Sequence, residues 1–433
     1  MTTKRHAASR REFLRRSAGI LATSAAMGQA ALTRSAHAGG SDQIKIALIG
    51  CGGRGVGAAG NCLDVRDNIK LVAVADAFED NARRAAESLK NAYGGKVDLP
   101  AQRIFSGFDA YRQAIHSGVD LVLLVTPPGF RPLHYRAAVE AGKHVFMEKP
   151  VCVDAPGFRS VQETNRLAQQ KGLKIAVGLN MRHTPGCREA VRRVHDGAVG
   201  PISFLRCYGN NAGVWVRPRK PEQTEMEYQM RNWYYFVWLS GDLIVEQTVH
   251  LIDAANWAQG AVPVEANGLG GRQVRTGKEH GQIYDHFAVE YTYADGAKLF
   301  CQARHIPGCY NCGETVVHGP LGAASSSGTV SGPHASRYAG PAVSGHAQEH
   351  VDLIAALRKD QPYHEGWYGA TSSMTAVLGR MTCYSGQPVR WDEAVAKGPD
   401  ELPARFAFDA EPPVRPDAAG KYPLPMPGVC KAY

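Results

Sequence analysis

The sequence predicts an α/β protein in two parts: an N-terminal doubly wound domain on a parallel sheet, then a C-terminal α+β domain on a mostly antiparallel, open sheet. Three observations carry that expectation. Short apolar runs alternate with helical patterns through residue 178, as in consecutive βαβ units. A glycine-rich turn, Gly50–Gly55, directly follows the first of those runs. After about residue 180 the pattern changes to one-face-exposed strands joined by a hairpin.

Taken in order, Ile44–Ile49 has the composition of a buried strand, and Leu71–Ala75, Leu121–Val125 and His144–Met147 repeat it, the last stopped by Pro150. Helix candidates fall between them at Asn81–Asn91, Phe108–Ser117 and Arg131–Ala141. Ala155–Gln170 is another helix, leading into the strand Lys174–Gly178. Cys187–His195 then reads as a helix ending at Gly197, and Ile202–Tyr208 as a strand with one solvent face. One continuous helix is expected over Leu243–Trp257. Phe287–Tyr293 and Lys298–Arg304 flank an Asp295-Gly296 hairpin turn. Residues 319–346, rich in Gly, Ser, Ala and Pro, read as a long surface loop. Helices Ala347–Lys359 and Gly369–Tyr384 follow, and a tail from Glu401 with seven prolines reads as extended. The expected divisions are a signal segment at 1–38, a dinucleotide-type domain at 39–178, an α+β domain at 179–400 and the tail at 401–433.

The charge is concentrated at one end. The chain's 49 Lys and Arg against 40 Asp and Glu give +9, but seven of those bases and a single acid fall in residues 1–38. The remainder, 42 against 39, stands at +3, so no nucleic-acid surface is expected. Ser9-Arg10-Arg11-Glu12-Phe13-Leu14 resembles the twin-arginine export motif; an Ala-rich apolar stretch follows, then a small-x-small cleavage site at Ala36-His37-Ala38. The expectation is a periplasmic or secreted protein that engages the twin-arginine export machinery and is soluble, off the membrane, after cleavage. A homo-oligomer is also expected. Ten scattered cysteines include one close pair, Cys309 and Cys312, which reads as buried thiols or a single disulfide; no metal is expected.

Gly50-Cys51-Gly52-Gly53-Arg54-Gly55 is a G-x-G-x-x-G turn between a strand and a helix, the Rossmann signature for a dinucleotide. Gly50 permits the tight turn, Gly52 lets the backbone approach a pyrophosphate, and Gly55 lets the helix pack closely. Asp76, ending the second strand, can accept from ribose hydroxyls and would repel a 2′-phosphate, which favours NAD over NADP. Thr126 and Pro127 close the third strand at the sheet's ligand-binding edge, with His134 just beyond. Glu148 and Lys149 end the strand before Pro150 and face the same crevice, where a Lys can polarise or protonate an oxygen on a reacting carbon.

Gly-rich loop, Thr126-Pro127-Pro128 and Glu148-Lys149-Pro150, in that order and spacing, resemble the glucose–fructose oxidoreductase / inositol dehydrogenase / rhizopine catabolism (Gfo/Idh/MocA) family, over roughly residues 44–395. The resemblance implies that Lys149 is catalytic. The segment Gly241–Asp253 is similar to the family's stretch in which an acid precedes a His by four residues; this chain has Glu246 where the family usually has Asp. It implies His250 as general base, held by Glu246, with Asp253 on the same helix face. Arg182, after the crossover strand, is expected to meet a substrate hydroxyl or carboxylate, and Arg231 and Trp233 to line a sugar site, or to be core. The expected chemistry is hydride transfer between a sugar or polyol carbinol and NAD. The alternatives are NAD-dependent glycoside cleavage through transient oxidation and elimination, and a non-catalytic sugar-binding protein.

Overall fold

β1 (Ile44–Ile49) is apolar at five of six positions and pairs in parallel with both β2 (Ile69–Asp76) and β4 (Leu121–Leu124), which leaves no edge to solvent. In the computed structural model, which describes Asp42–Tyr433, these strands form the centre of a six-stranded sheet of order β3-β2-β1-β4-β5-β6. The others are β3 (Ile104–Ser106), β5 (His144–Met147) and β6 (Ile175–Val177), and every pairing is parallel. Crossovers are made by α1 (Gly53–Leu63), α2 (Glu79–Tyr93), α3 (Ala110–Ile115), α4 (Arg131–Glu140) and α5 (Ala155–Gln170). Alternate side chains of β1 feed two apolar layers: Ile46 and Leu48 join Ala58, Ala59 and Leu89, while Ala47 and Ile49 join Tyr135 and Ala138. Strand order reverses beside β1, so a crevice opens at the carboxyl ends of β1 and β4.

Beyond β6 come α6 (Pro185–His195), β7 (Phe204–Asn211), α7 (Glu225–Arg231), α8 (Val237–Ser240), α9 (Leu243–Glu246) and α10 (Val249–Gln259). The strands β8 (Glu265–Gly271), β9 (His286–Thr292), β10 (Lys298–His305), β11 (Cys312–Gly319), β12 (Gly322–Ser325), β13 (Thr329–Val330) and β14 (Ser336–Arg337) follow. After α11 (Gly345–Arg358) and α12 (Gly366–Ser385), β15 (Val389–Arg390) and α13 (Trp391–Lys397) close the domain. The second sheet has nine strands in the order β14-β13-β12-β11-β7-β10-β9-β8-β15. Only β7 and β10 run parallel; the other pairings are antiparallel. In β10, Leu299, Cys301 and Ala303 are buried toward α9, while Phe300 and Gln302 are exposed, so one face is open.

Two expectations need correction. The helix expected over Leu243–Trp257 is two helices, α9 and α10, broken at Gln247 and Thr248. The N–H groups of both Gln247 and Thr248 reach back to the Leu243 carbonyl, and this widened turn interrupts the regular ladder. The surface loop expected at 319–346 is instead an edge of short hairpins, β12 to β14, whose strands of two to four small residues carry little periodicity. All ten cysteines are free thiols, seven of them buried, and Cys309 and Cys312 form no disulfide. Among the described residues no helix is long and apolar enough to cross a membrane. The export motif at Arg10 and Arg11 lies outside the described residues.

Candidate active site

The crevice is built first from glycine. Gly50 ends β1 at φ +100°, and a Cβ there would lie 2.4 Å from the Thr126 nitrogen. A Cβ on Gly55 would meet the Gly50 carbonyl oxygen at 1.9 Å, so α1 packs on the loop at backbone distance. Gly52 and Gly53 behave differently: nothing lies within 4 Å of the Cβ either would carry. Gly52 caps α1 without any side-chain cap, so the helix N-terminus opens on free space at the strand edge. That cradle fits a pyrophosphate. Beside it, Asp76 accepts from the Cys51 N–H at 2.7 Å through one oxygen, and from Phe78 N–H at 2.9 Å and Asn81 at 3.3 Å through the other. Burial holds its carboxyl above the ordinary range despite those donors. The oxygen that takes only the Cys51 N–H retains a lone pair for a ribose hydroxyl.

Arg131, which sequence reasoning did not single out, braces this edge from below. It is 1% exposed and donates to the Glu148 carbonyl at 3.1 Å and to the Thr126 carbonyl and hydroxyl at 2.5 and 3.3 Å. It thus fixes the ends of β4 and β5 relative to each other; burial pulls its guanidinium down to about 10. His134 was expected to face the cofactor. Instead it is buried, stacked 4.2 Å from Tyr111, with Thr126 Oγ1 at 3.3 Å. Burial and then Arg131 press it down to about 3, so it is a neutral packing residue.

Lys149 and Glu246 meet across the two domains. Lys149 Nζ donates to Glu246 Oε1 at 2.8 Å and to the Glu246 carbonyl at 2.6 Å, and both side chains are nearly buried. Glu246 was expected to hold the His250 imidazole; the break between α9 and α10 turns it toward Lys149 and Gln247 instead. His250 Nδ1 has no partner among the described residues. Its imidazole lies in the field of Lys149, His346 and Arg54, and burial first, then these neighbours, holds it well below the usual histidine range. It is therefore neutral and able to accept a proton. Close by, Tyr234 and His305 stack 5.8 Å apart, both buried, with the hydroxyl and both ring nitrogens unpartnered. Such atoms are the complement that a hydroxyl-rich ligand would satisfy. Tyr234 falls in the aromatic run from Arg231 to Phe236, which the sequence leaves open between a sugar face and core, whereas a lone His at 305 carries no signal.

Other expected substrate residues lie elsewhere. Arg182 and Asp253 form a bidentate pair at 2.8 and 2.9 Å; Ser372 donates to Asp253 at 2.7 Å, and Arg182 sits 3.7 Å over the Tyr368 ring. The two side chains thus brace each other, and Asp253 takes three donors in all. Arg231 pairs with Asp80 at 2.7 and 3.0 Å and covers Phe78, so it meets the dinucleotide domain rather than the Lys149 pair. Trp233 is half-buried beside Trp215 and Tyr234. Arg54, from the glycine loop, bridges two carboxylates, Glu148 at 2.5 Å and Glu349 at 3.2 Å. Glu148, His346 and Glu349 bring ligand-type atoms within 4.8 Å of one another, and both carboxyl groups already pair with Arg54. Burial, then Glu148, pushes the Glu349 carboxyl up, and the Arg54 guanidinium opposes that shift.

The glycine cradle and the Lys149–Glu246 pair at the same sheet edge belong to an NAD(P)-dependent oxidoreductase acting on CH–OH groups. Residues 44–179 match the model of the Gfo/Idh/MocA oxidoreductases, described as an oxidoreductase family with an NAD-binding Rossmann fold. That match spans the dinucleotide domain of this chain, and the cofactor is NAD. The chain is 25% identical over 284 residues to inositol 2-dehydrogenase of Rhizobium meliloti (strain 1021), covering 65% of this chain and 75% of that one. It is 24% identical over 261 residues to scyllo-inositol 2-dehydrogenase (NAD(+)) of Bacillus subtilis (strain 168), covering 60% and 64%, so under two thirds of that relative's length is matched. Its fold is that of scyllo-inositol dehydrogenase from Lactobacillus casei with bound NAD(H) and scyllo-inositol, at TM-score 0.62 and 20% identity over 81% and 99% of the two chains. Aldose-aldose oxidoreductase from Caulobacter crescentus shares the fold equally well, at TM-score 0.62 and 18% identity over 80% and 99%.

Proposed function

We propose that the protein oxidises a secondary hydroxyl of a polyol or sugar, with Lys149 and His250 as the acid–base groups. The observation that carries the reading is the Lys149–Glu246 pair beside a neutral, unpartnered His250. NAD, when bound, supplies the hydride acceptor; Gly52, Gly53 and the α1 N-terminus would hold its pyrophosphate, and Asp76 its ribose. Lys149 orients the substrate oxygen and stabilises negative charge on it as the carbinol proton leaves. His250 takes that proton on its imidazole. Glu246 fixes the Lys149 ammonium rather than the imidazole. The unpartnered Tyr234 hydroxyl and His305 ring favour a ligand with several hydroxyls over a simple alcohol. The names of the relatives, inositol dehydrogenases, support polyols first and do not favour glycoside cleavage.

The test is a panel of myo-inositol, scyllo-inositol, aldoses and glycosides with NAD, followed by NADH absorbance. Net NADH from a polyol or sugar is expected; glycoside cleavage without net NADH would overturn the reading. Twin-arginine export and a periplasmic or secreted location are part of the proposal, supported by the Arg10–Arg11 motif. Replacing both arginines by Lys should leave precursor in the cytoplasm, and unchanged export would remove this part. A homo-oligomer is likewise proposed, supported by Phe300 and Leu269 exposed on the open sheet; light scattering at the monomer mass would count against it.

A further inference from the structure

The carboxyl edge of the parallel sheet on the Asp76 side carries a group of phenylalanines drawn from both ends of the chain. Phe78 follows β2, Phe108 follows β3 and Phe130 follows β4. The C-terminal segment reaches back across the molecule and adds Phe406 and Phe408. Phe408 lies 5.3 Å from Phe78 and 4.8 Å from Phe108; Phe406 lies 5.1 Å from Phe130 and 6.5 Å from Phe108. Phe108, Phe406 and Phe408 stay only half-buried in this cluster, so aromatic faces remain open at the edge. The segment is stapled to α7. Thr224 Oγ1 donates to the Phe408 carbonyl at 2.8 Å, Gln229 to the Val414 carbonyl at 2.7 Å, and Tyr422 to Glu225 at 2.5 Å. From the last residue of α7, Arg231 spans to Asp80 on α2 and lies 3.6 Å over the Phe78 ring.

We propose that this strap, through Phe406, Phe408 and Arg231, forms the outer wall of the adenosine half of the NAD site and limits the rate at which the cofactor leaves. The inference rests on the NAD assignment. In this fold the adenosine half binds at the carboxyl ends of the strands on the β2 side, next to the ribose-binding acid. A purine is a flat aromatic that stacks on open phenyl faces. Residues that would move to release it are tied to α7 by three hydrogen bonds and to α2 by a bidentate ion pair, so release requires those contacts to part together.

The test is cofactor retention by the full chain. Wild type, Phe408→Ala, Phe408→Leu and Arg231→Gln are loaded with NAD and gel-filtered. Bound NAD is quantified after acid release, and dissociation is followed by chase with excess unlabelled NAD. Thermal unfolding of each apo variant reports folding; Phe408→Leu keeps apolar volume, and Arg231→Gln leaves the core intact. Wild type should retain NAD through filtration, and the variants should release it at least ten times faster. Unchanged release in folded Phe408→Leu and Arg231→Gln overturns the strap's role while leaving the cofactor assignment standing. A wild type that binds no NAD when loaded overturns the cofactor assignment, and the strap's role with it.

Discussion

At the scale of residues, the site depends on which charge each side chain carries. Lys149→Ala and His250→Ala should each lower kcat by about 10²–10⁴-fold, because general acid–base groups contribute that much. NAD affinity, set by the glycine loop and Asp76, should change little; equal losses in NAD binding would assign both residues to cofactor positioning. His250 is held neutral by burial, then by Lys149, His346 and Arg54. Its folded-state pKa is depressed, so protonation sets in only below the ordinary value of about 6.5. The acidic limb of kcat/KM against pH should therefore fall below that value, and NMR titration of His250 in Lys149→Met should show the pKa moving up. Lys149, Asp76 and the glycines are recognisable in sequence because each sits at a strand end beside a fixed motif. Arg131 and His305 are not, since their roles arise from tertiary neighbours, and Tyr234 is legible only as one of the aromatic run Arg231–Phe236.

At the scale of elements, the decisive feature is the short α9 between two turns. Asp242, its N-cap, sits at φ 79°, a region that favours glycine, and is fully buried. Its Oδ1 accepts from Leu243 N–H at 2.5 Å, and its Oδ2 from Tyr284 N–H at 2.9 Å and from the Tyr384 hydroxyl. These bonds hold a strained backbone that delivers Glu246 to Lys149 four residues on. Asp242→Ala should cost roughly 1–3 kcal/mol for each buried donor left unpaired. Thermal unfolding should show it as a clear drop in Tm, together with lower kcat as Glu246 drifts; an unchanged Tm would mean the bonds carry no weight. The strands of the parallel sheet are legible from sequence because their burial on both faces makes them continuous apolar runs. The α9–α10 break is not: Leu243–Trp257 contains no Gly or Pro, and only the Thr248 N–H reaching back to Leu243 marks it. β8 is obscured in the same way, with three glycines in seven residues and no β-branched side chain.

At the scale of the whole molecule, the two sheets are joined where chemistry is expected. Saturating NAD at about 100 times its Kd should add about 2.7 kcal/mol to the unfolding free energy, and NADP at the same concentration much less. Equal stabilisation by the two would remove Asp76 as the discriminating residue. The Lys149–Glu246 contact, seen as geometry rather than as charge, has one more outcome. An ammonium has three N–H vectors arranged tetrahedrally. Two of them are taken by the Glu246 carboxylate and carbonyl. The third points in one direction only, so the oxygen that accepts it must approach along a single line. A carbinol of the opposite configuration would present hydrogen where its mirror partner presents oxygen. The protein should thus be a chirality filter: paired epimers, offered at equal concentration, should differ in kcat/KM by at least tenfold, and Glu246→Ala, which frees a second vector and leaves only the backbone carbonyl as partner, should erode that difference.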